Sequence, residues 1–461
     1  MNKGQPTIDA GPVRPSGARF LDRLGAIVRL SVPVTAARIG MLTVVMVDTA
    51  MTGHAGNLQL AFYGLAHAIH MVCLLVGAGM LIGTAVLSAQ ALGAGDHRDC
   101  GVIWRVALLH GLVLGCLFAA LGFTGGAIYT LLGHDAALAQ GAGRTLAILN
   151  LGLPGQFAFI ASTLVLESLG RPRPGVLVMI GVNLLNAGLN WLLIYGHWGV
   201  GALGAEGAAW ATVAARTAAG LAMLWCVLRM ADGERYNLRG PLHRAAEISR
   251  KLRHLGYPLG LAQGLESLAF ASLTIFAGYL GANSVAAFQI VINLIAFCYM
   301  GAIGIGTATA VFVGHAVGRR DRPDMARSGW GGLLAIVLFM SALALVMALF
   351  PHLLGRIFTS DEVLLAIVAP TLLIGAATLV GDGAQGVLMG ALRGAGDVWI
   401  PTAMHLCSFL LVMVPAAAGF AFLADLGTPG LMLGTLIGVS LASCLLAGRF
   451  RLISGRGVDR L

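Results

Sequence analysis

The sequence predicts an all-α polytopic membrane protein in which twelve transmembrane helices form two homologous six-helix bundles, arranged as a parallel repeat. Three observations predict this fold class. Charged residues make up 11% of the 461 residues and hydrophobic residues 58%, whereas a soluble domain carries roughly 25% charged residues. Apolar runs long enough to cross a bilayer recur along the chain, and an early part of the sequence resembles a later part. Lipid is therefore the expected solvent of this fold.

Continuous apolar runs mark the spanning segments. A helix needs about 20 apolar residues to cross the hydrocarbon core, where backbone groups must be satisfied within a helix or a closed barrel. Barrel strands would alternate in polarity over segments of about ten residues, and these runs do not alternate. We place the helices near 30–52, 60–90, 102–123, 144–168, 174–196, 206–228, 255–280, 285–317, 328–351, 364–391, 399–424 and 430–448.

Basic residues fall almost entirely on one side of this arrangement. If both termini lie inside, the internal segments hold 25 of the 29 Lys and Arg residues. This asymmetry follows the positive-inside rule. The sequence therefore predicts a multi-pass protein of the bacterial cell inner membrane with cytoplasmic N- and C-termini. Topology explains the net charge of +9, so we expect no nucleic-acid partner.

An internal repeat divides the chain into two halves. At an offset of 225 residues, segment 30–96 matches segment 255–321 with fifteen of 67 positions identical, and at an offset of 226 Gly170 meets Gly396. Six helices separate the copies, so both halves cross the membrane in the same sense, and transporter halves of this kind rock about a central site. The predicted domains are a cytoplasmic tail (1–28), an N-terminal lobe (29–228), a cytoplasmic linker (229–254), a C-terminal lobe (255–450) and a cytoplasmic tail (451–461).

Three carboxylates lie within predicted spans: Asp48 on helix 1, Glu266 on helix 7 and Asp382 on helix 10. Each costs about 2.5–3.5 kcal/mol in the membrane on insertion scales, and the repeat places uncharged residues opposite all three. Burial and a neighbouring carboxylate favour proton uptake, so Glu266 and Asp382 could bind H⁺ or hold Na⁺ between them. The alternative is structural, with each carboxylate locked to Arg38, Arg216 or a hydroxyl group.

Uncharged polar residues on the same or neighbouring helices are candidates for a substrate cavity. Interhelical hydrogen bonds are an equally ordinary reason for such residues in a membrane helix, so both interpretations stay open. The candidates are Gln263, Gln289, Asn293, Thr378, Asn186 and Asn190.

Four segments carry a resemblance to a known family: 47–56 (VDTAMTGHAG), 186–196 (beginning NAGLNW and ending YG), 204–212 (GAEGAAWAT) and 392–397 (LRGAGD). The chain resembles a MATE (multidrug and toxic compound extrusion) transporter of the NorM-like branch, over about residues 25–450. The resemblance implies that Asp48, Glu266 and Asp382 are the family's cation-coupling carboxylates. Another branch of the family relies on an aspartate in helix 5, where this chain has Asn190. The resemblance therefore implies that cation coupling depends mainly on Glu266 and Asp382.

The expected function is secondary active efflux, in which cationic or amphipathic compounds are exchanged for H⁺ or Na⁺ by alternating access. We expect no cofactor, no metal beyond a possible Na⁺ at Glu266 and Asp382, small-molecule drugs or toxic cations and membrane lipid as partners, and a monomer. A flippase for lipid-linked precursors is the main alternative, but it predicts a cavity lined with several basic residues. A membrane-embedded enzyme is a third possibility, although the sequence contains no HExxH motif.

Overall fold

The computed structural model describes residues 20–131, 135–199, 201–359 and 361–456. Twelve helices within these ranges are long and apolar enough to cross a membrane, which confirms the predicted fold class. They are α1 Phe20–His54, α2 Leu58–Gly93, α3 His97–Gly122, α4 Ala136–Ser168, α5 Arg173–Tyr195, α6 Gly204–Leu228, α7 Ala245–Tyr279, α8 Asn283–Gly318, α9 Arg322–Leu349, α10 Glu362–Gly394, α11 Trp399–Leu423 and α12 Gly427–Gly455. Two short helices, Gly125–Leu131 and Pro351–Arg356, lie between spans.

The helix boundaries differ from the sequence expectation at the same place in each half. Helices α1 and α7 begin at Phe20 and Ala245, well before the apolar runs that start near 30 and 255. Hydropathy marks where a chain enters lipid, whereas backbone hydrogen bonding continues into the polar segment outside it. Part of the predicted cytoplasmic tail and linker is therefore helical, while residues 1–19 lie outside the described part.

Three helices in the described part of the chain are interrupted along their length. Helix α2 has a break at Ile82, and α4 has one at Gly152, shortly before Pro154. In α11 the segments Cys407–Met413 and Gly419–Leu423 are π-helical. Proline lacks the N–H that an α-helix needs, and Pro415 lies between these two segments. Such π-helical turns are frequent at functional sites.

The helices form two lobes, which we call the N-lobe (α1–α6) and the C-lobe (α7–α12). The largest apolar core joins α2–α6 with the beginning of α7, and a second core lies within the C-lobe and reaches the start of α1. Each core therefore includes the first helix of the other lobe at its edge. The first helix of each lobe links the two halves.

Each lobe also ties the loop after its fourth helix to the end of its sixth helix. In the N-lobe Arg171 donates two hydrogen bonds to Asp232, at 2.7 and 2.8 Å. In the C-lobe Arg449 donates to Asp397 at 2.8 Å. Arg171 and Asp397 are equivalent at an offset of 226. The two ion pairs therefore join the same elements, but the positions of the Arg and the Asp are exchanged.

The lobes meet near the face where α1 begins and α12 ends, which we call the terminal side. There the ends of α2 and α8 cross so closely that a Cβ at Gly93 would collide with the carbonyl oxygen of His315, and a Cβ at Gly318 with that of Gln90. Gly93 and Gly318, like Gln90 and His315, are equivalent at the offset of 225. The crossing is thus a pseudo-two-fold contact.

Two hydrogen bonds between the lobes repeat this symmetry. Gln90 Nε2 donates to the carbonyl oxygen of Gly394 at 3.1 Å, and His315 Nε2 lies 2.8 Å from the carbonyl oxygen of Ser168. Because the acceptors are also equivalent, at an offset of 226, the same bond is made twice about the axis. We refer to the glycine crossing and these two bonds together as the terminal-side closure.

A buried ion cluster adjoins the closure. Asp324 of α9 accepts two hydrogen bonds from Arg23 of α1, at 2.5 and 2.6 Å, and one from Arg319 at 2.6 Å. The Asp324 side chain is fully buried. This pairing joins the first helix of the N-lobe to the C-lobe, so the lobes are held by ionic as well as neutral contacts on the terminal side.

Candidate functional site

Glu266 lies midway along α7 with 23% of its side chain exposed. Gln263, one turn earlier, donates to Glu266 Oε2 at 3.2 Å. On α11, His405 places Nε2 at 3.5 Å from the same carboxylate oxygen, and its own side chain is 6% exposed. A partly accessible carboxylate therefore faces a nearly enclosed imidazole.

His405 also connects this carboxylate to the second one. Its Nδ1 lies 2.8 Å from Oε1 of Gln385, and Gln385 Nε2 donates to Asp382 Oδ1 at 3.1 Å. The amide group thus fixes Nδ1–H as a donor, because Gln385 Oε1 can only accept. Nε2 is then the ring nitrogen that faces Glu266 Oε2, at 3.5 Å.

The Glu266–His405–Gln385–Asp382 arrangement, hereafter the C-lobe cluster, brings together the two carboxylates singled out in the C-terminal half. They are joined through two intervening side chains and not by a direct hydrogen bond. Tyr299 of α8 lies within electrostatic range of both. Three helices, α7, α10 and α11, therefore converge on one chain of polar contacts.

Asp48 occupies the N-lobe and is sealed. It is 1% exposed and accepts hydrogen bonds from Tyr63 Oη at 3.0 Å, Asn190 Nδ2 at 2.6 Å and Thr212 Oγ1 at 2.6 Å. Asn190 also donates to Asn186 at 3.2 Å. Helices α1, α2, α5 and α6 are thus tied to one carboxylate, which we call the N-lobe cluster.

A second polar chain continues from the N-lobe cluster along α2. The ring of His67 stacks on Tyr63 with centroids 5.5 Å apart and is followed by His70 at 6.1 Å. His70 contacts Arg216 of α6 and lies 2.7 Å from Asn150 Oδ1. Elsewhere in this lobe Arg38 pairs with the buried Glu167 at 3.5 Å. The interior of the N-lobe is therefore rich in paired polar groups.

The remaining cavity candidates are dispersed. Asn186 and Asn190 are fully buried beside Asp48. Thr378 is buried and donates to the carbonyl oxygen of Ile374 in its own helix, and Gln289 and Asn293 form an exposed pair on α8, 3.3 Å apart. Of the six uncharged candidates, Gln263 is the one hydrogen-bonded to a C-lobe carboxylate within the described chain.

Sequence reasoning missed His405 and Gln385 in the C-lobe and Tyr63 and Thr212 in the N-lobe. A signal for two of them was present. His405 is an ionisable residue in an apolar run, and Gln385 follows Asp382 by one helical turn. Tyr63 and Thr212 are ordinary residues of membrane helices, so their role depends on how α2 and α6 pack against α1.

The chain matches the MatE family model over residues 33–192 and 258–418. It is 34% identical to a probable multidrug resistance protein NorM of Caulobacter vibrioides over 448 residues, or 96% of this chain and 94% of that protein. A protein of the same description from Bradyrhizobium diazoefficiens is 32% identical over 436 residues, covering 93% of each chain.

Solved structures have the same fold. A eukaryotic MATE transporter superposes with a TM-score of 0.84 at 19% identity, over 95% of this chain and 99% of that one. An outward-facing multidrug resistance MATE family transporter superposes with a TM-score of 0.84 at 21% identity, over 94% and 96% of the two chains.

Proposed function

This chain belongs to the MatE family, whose members are transporters rather than enzymes, and on that premise we propose that it exports cationic or amphipathic compounds in exchange for H⁺ or Na⁺. The partly exposed Glu266, linked to Asp382 through His405 and Gln385, is the observation that carries the proposal. A charged cluster in a membrane protein is costly, and its partial exposure gives an ion a route to it.

Coupling arises if cation and substrate compete for the C-lobe cluster. A cation or proton that binds there neutralises a carboxylate and weakens the attraction for a cationic compound. By linkage, the substrate weakens binding of the cation by the same factor. Each net positive charge that moves inward in an exchange cycle releases about 2.3 kcal/mol per 100 mV of membrane potential, whereas a one-for-one exchange of monovalent cations is driven by the concentration gradient of the entering ion.

Alternating access uses the two lobes as rocking units. In the present conformation the lobes are closed on the terminal side, and we assign that side to the cytoplasm because the basic residues concentrate there. The site therefore faces outward in this state. Opening inward requires the terminal-side closure and the Arg23–Asp324 contact to separate. One chain contains both lobes, so we propose that the monomer, embedded in the inner membrane, is the working unit.

Proteoliposomes that carry ethidium provide the test. A pH gradient and a Na⁺ gradient are imposed separately on wild type, Glu266→Gln, Asp382→Asn and His405→Gln. We expect Glu266→Gln to lower gradient-driven transport by about 5- to 150-fold, the range of ordinary coupling free energies. Glu362→Gln is the matched control, because Glu362 is exposed in the same lobe and pairs with Arg356 at 2.9 Å.

The two gradients identify the coupling ion, and the variants identify the site. Loss of transport in Glu266→Gln and Asp382→Asn with retention in Glu362→Gln supports the proposal. Transport by Glu266→Gln at the wild-type rate under both gradients would contradict the assignment of the coupling site. Absence of gradient-dependent transport in wild type would contradict the proposed function itself.

A further inference from the structure

Three arginines lie at the terminal-side ends of α5 and α6, on the outer surface of the N-lobe. Arg173 begins α5, Arg229 follows the last residue of α6, and Arg239 Nη2 donates to the carbonyl oxygen of Leu228 at 3.1 Å. All three arginines are exposed. Within the described chain none of them pairs with a carboxylate, so their charges are available to a partner outside the protein.

The Arg171–Asp232 ion pair holds these arginines close together. Arg171 lies two residues before Arg173, and Asp232 lies three residues after Arg229. The two hydrogen bonds of the pair therefore fasten the start of α5 to the chain that leaves α6. Because the two helices also pack against each other, Arg173 and Arg229 lie at the same end of neighbouring helices.

The turn that carries Arg239 is fixed against α3. Arg105 Nη1 donates to the carbonyl oxygen of Gly240 at 2.6 Å, and its Nη2 donates to that of Asn237 at 3.1 Å. Leu238 is buried. Hydrogen bonds on both sides of Arg239 therefore hold this turn in place, and its guanidinium stays at the end of α6.

Exposed apolar side chains continue both helices from these arginines into the membrane. On α5, Leu177 lies one turn from Arg173 and is 70% exposed. On α6, Trp225 lies one turn from Arg229 and is 61% exposed, and the Arg229 guanidinium lies over its ring at 5.7 Å from the centroid. Tryptophan is enriched at membrane–water interfaces. The arginines therefore lie at the level of the lipid headgroups, next to a surface that acyl chains contact.

The C-lobe does not repeat this arrangement at the equivalent described positions. The residue equivalent to Arg173 at the offset of 226 is Trp399, and Arg449, near the end of α12, is paired with Asp397 at 2.8 Å. The positive-inside rule explains why arginines occur on this side of the membrane. It does not require three of them to stay without carboxylate partners at one junction of two helices.

We propose that the terminal-side ends of α5 and α6 bind the headgroup phosphate of an anionic phospholipid. A guanidinium pairs with phosphate through parallel hydrogen bonds, and basic pockets between transmembrane helices bind anionic headgroups. Arg173, Arg229 and Arg239 surround the phosphate, and the acyl chains lie along Leu177 and Trp225. The headgroup must carry a net negative charge, because the arginines repel the amine of a zwitterionic lipid.

Fluorescence of Trp225 reports which lipid occupies this site. The full-length protein is reconstituted in vesicles of phosphatidylcholine with increasing fractions of phosphatidylglycerol, and one of the two lipids is brominated so that it quenches tryptophan. The signal of Trp225 is the difference between wild type and Trp225→Phe. We expect phosphatidylglycerol to be preferred over phosphatidylcholine by about fivefold for each arginine, or about a hundredfold in wild type.

Substitutions of the arginines identify the site. The double variant Arg229→Gln, Arg239→Gln should lower this preference by about 25-fold, and Arg173→Gln should lower it by about fivefold. If the double variant does not fold, Arg173→Gln alone decides. The matched control is the double variant Arg322→Gln, Arg451→Gln, which removes two exposed arginines of the C-lobe on the same side of the membrane. Its preference should stay within about twofold of wild type, because distant exposed charges are screened.

Equal quenching of Trp225 by the two lipids in wild type would overturn the inference, and so would an equal loss of preference in the control. Displacement of phosphatidylglycerol by inorganic phosphate at constant ionic strength would also overturn it, because the site would then bind a free anion rather than a lipid. Retention of the lipid in the presence of phosphate, with the preference lowered only by substitution of the three arginines, supports the proposal.

Discussion

The N-lobe and the C-lobe keep the same framework but hold their carboxylates in different ways. Asp48 is 1% exposed and accepts three side-chain hydrogen bonds. Glu266 is 23% exposed on its side chain, and its contacts are longer, at 3.2 and 3.5 Å. Short bonds to a sealed carboxylate stabilise one arrangement, whereas long bonds to an accessible one permit exchange of the partner. From this difference we expect the N-lobe cluster to be rigid and the C-lobe cluster to be where a partner exchanges.

The lobes also differ in how they use equivalent acidic residues at the terminal side. Asp99 and Asp324 correspond at the offset of 225. Asp324 is fully buried between Arg23 and Arg319, whereas Asp99 lies 2.9 Å from His243 and 3.5 Å from Arg244, both of them substantially exposed. The same carboxylate thus holds the lobes together in one copy and anchors the linker in the other.

Substitution of Asp324 has the largest expected effect. Asp324→Asn leaves the buried Arg23 and the partly buried Arg319 without their counter-charge, and removing one partner of a buried pair costs about 3–5 kcal/mol. Asp99→Asn is the matched control and should cost about 0–1 kcal/mol, as for exposed ion pairs. Thermal unfolding of the detergent-solubilised protein measures both. Similar losses in the two variants would show that burial does not distinguish these residues.

The contrast between Asp48 and Glu266 predicts that one substitution lowers stability and the other lowers transport. Asp48→Asn directs an amide N–H₂ toward the hydroxyl donors of Tyr63 and Thr212, and an unsatisfied buried group costs about 1–3 kcal/mol. Glu266→Gln should leave the unfolding temperature close to that of wild type while transport is lost. Equal stability of the two variants, with equal loss of coupling, would mean that both lobes exchange the ion.

The two symmetry-related hydrogen bonds of the terminal-side closure should stabilise the closed state by equal amounts. Gln90→Ala and His315→Ala each remove one hydrogen bond, worth about 1 kcal/mol, which corresponds to about a fivefold change in the closed population. Hydrogen exchange of the amides in 84–93 and 309–318 reports the opening. A much larger effect for His315→Ala than for Gln90→Ala would show that the closure is asymmetric in energy despite its geometry.

Substitutions in the Arg171–Asp232 and Arg449–Asp397 ion pairs have the smallest expected effect on stability. Burial alone would raise the pKa of Asp232, but the hydrogen bonds and charge of Arg171 lower it below the ordinary value of 3.8. Because the folded-state pKa is depressed, the pair stabilises the protein above about pH 4 and this contribution is lost as the pH falls further.

A charge swap tests the equivalence of these pairs. Arg171→Asp or Asp232→Arg alone should lower stability by about 0–1 kcal/mol, since both side chains are partly exposed. The double reversal should restore it, because Asp397 and Arg449 show the opposite polarity at the equivalent place in the C-lobe. If the double variant lost as much stability as the two single variants together, the two pairs would not be equivalent.

Sequence alone predicts the twelve helices, the two halves and the cost of three intramembrane carboxylates, because hydropathy and repetition are properties of the chain itself. It does not predict that His405 bridges Glu266 and Asp382, since that contact joins residues from three helices. The same limit applies to Asn190, whose position suggested a cavity, an interhelical contact or a lost carboxylate. Its hydrogen bond to Asp48 depends on how α5 packs against α1.

The terminal-side closure has the form of an isologous interface, in which one surface patch is used twice. In a true homodimer a substitution at Gln90 or at Gly93 would alter both copies of the contact at once. Joining the two copies in one polypeptide removes that constraint, so each copy can be changed singly. Each lobe can therefore carry its own polar cluster in its interior while the shared contact keeps its two-fold geometry.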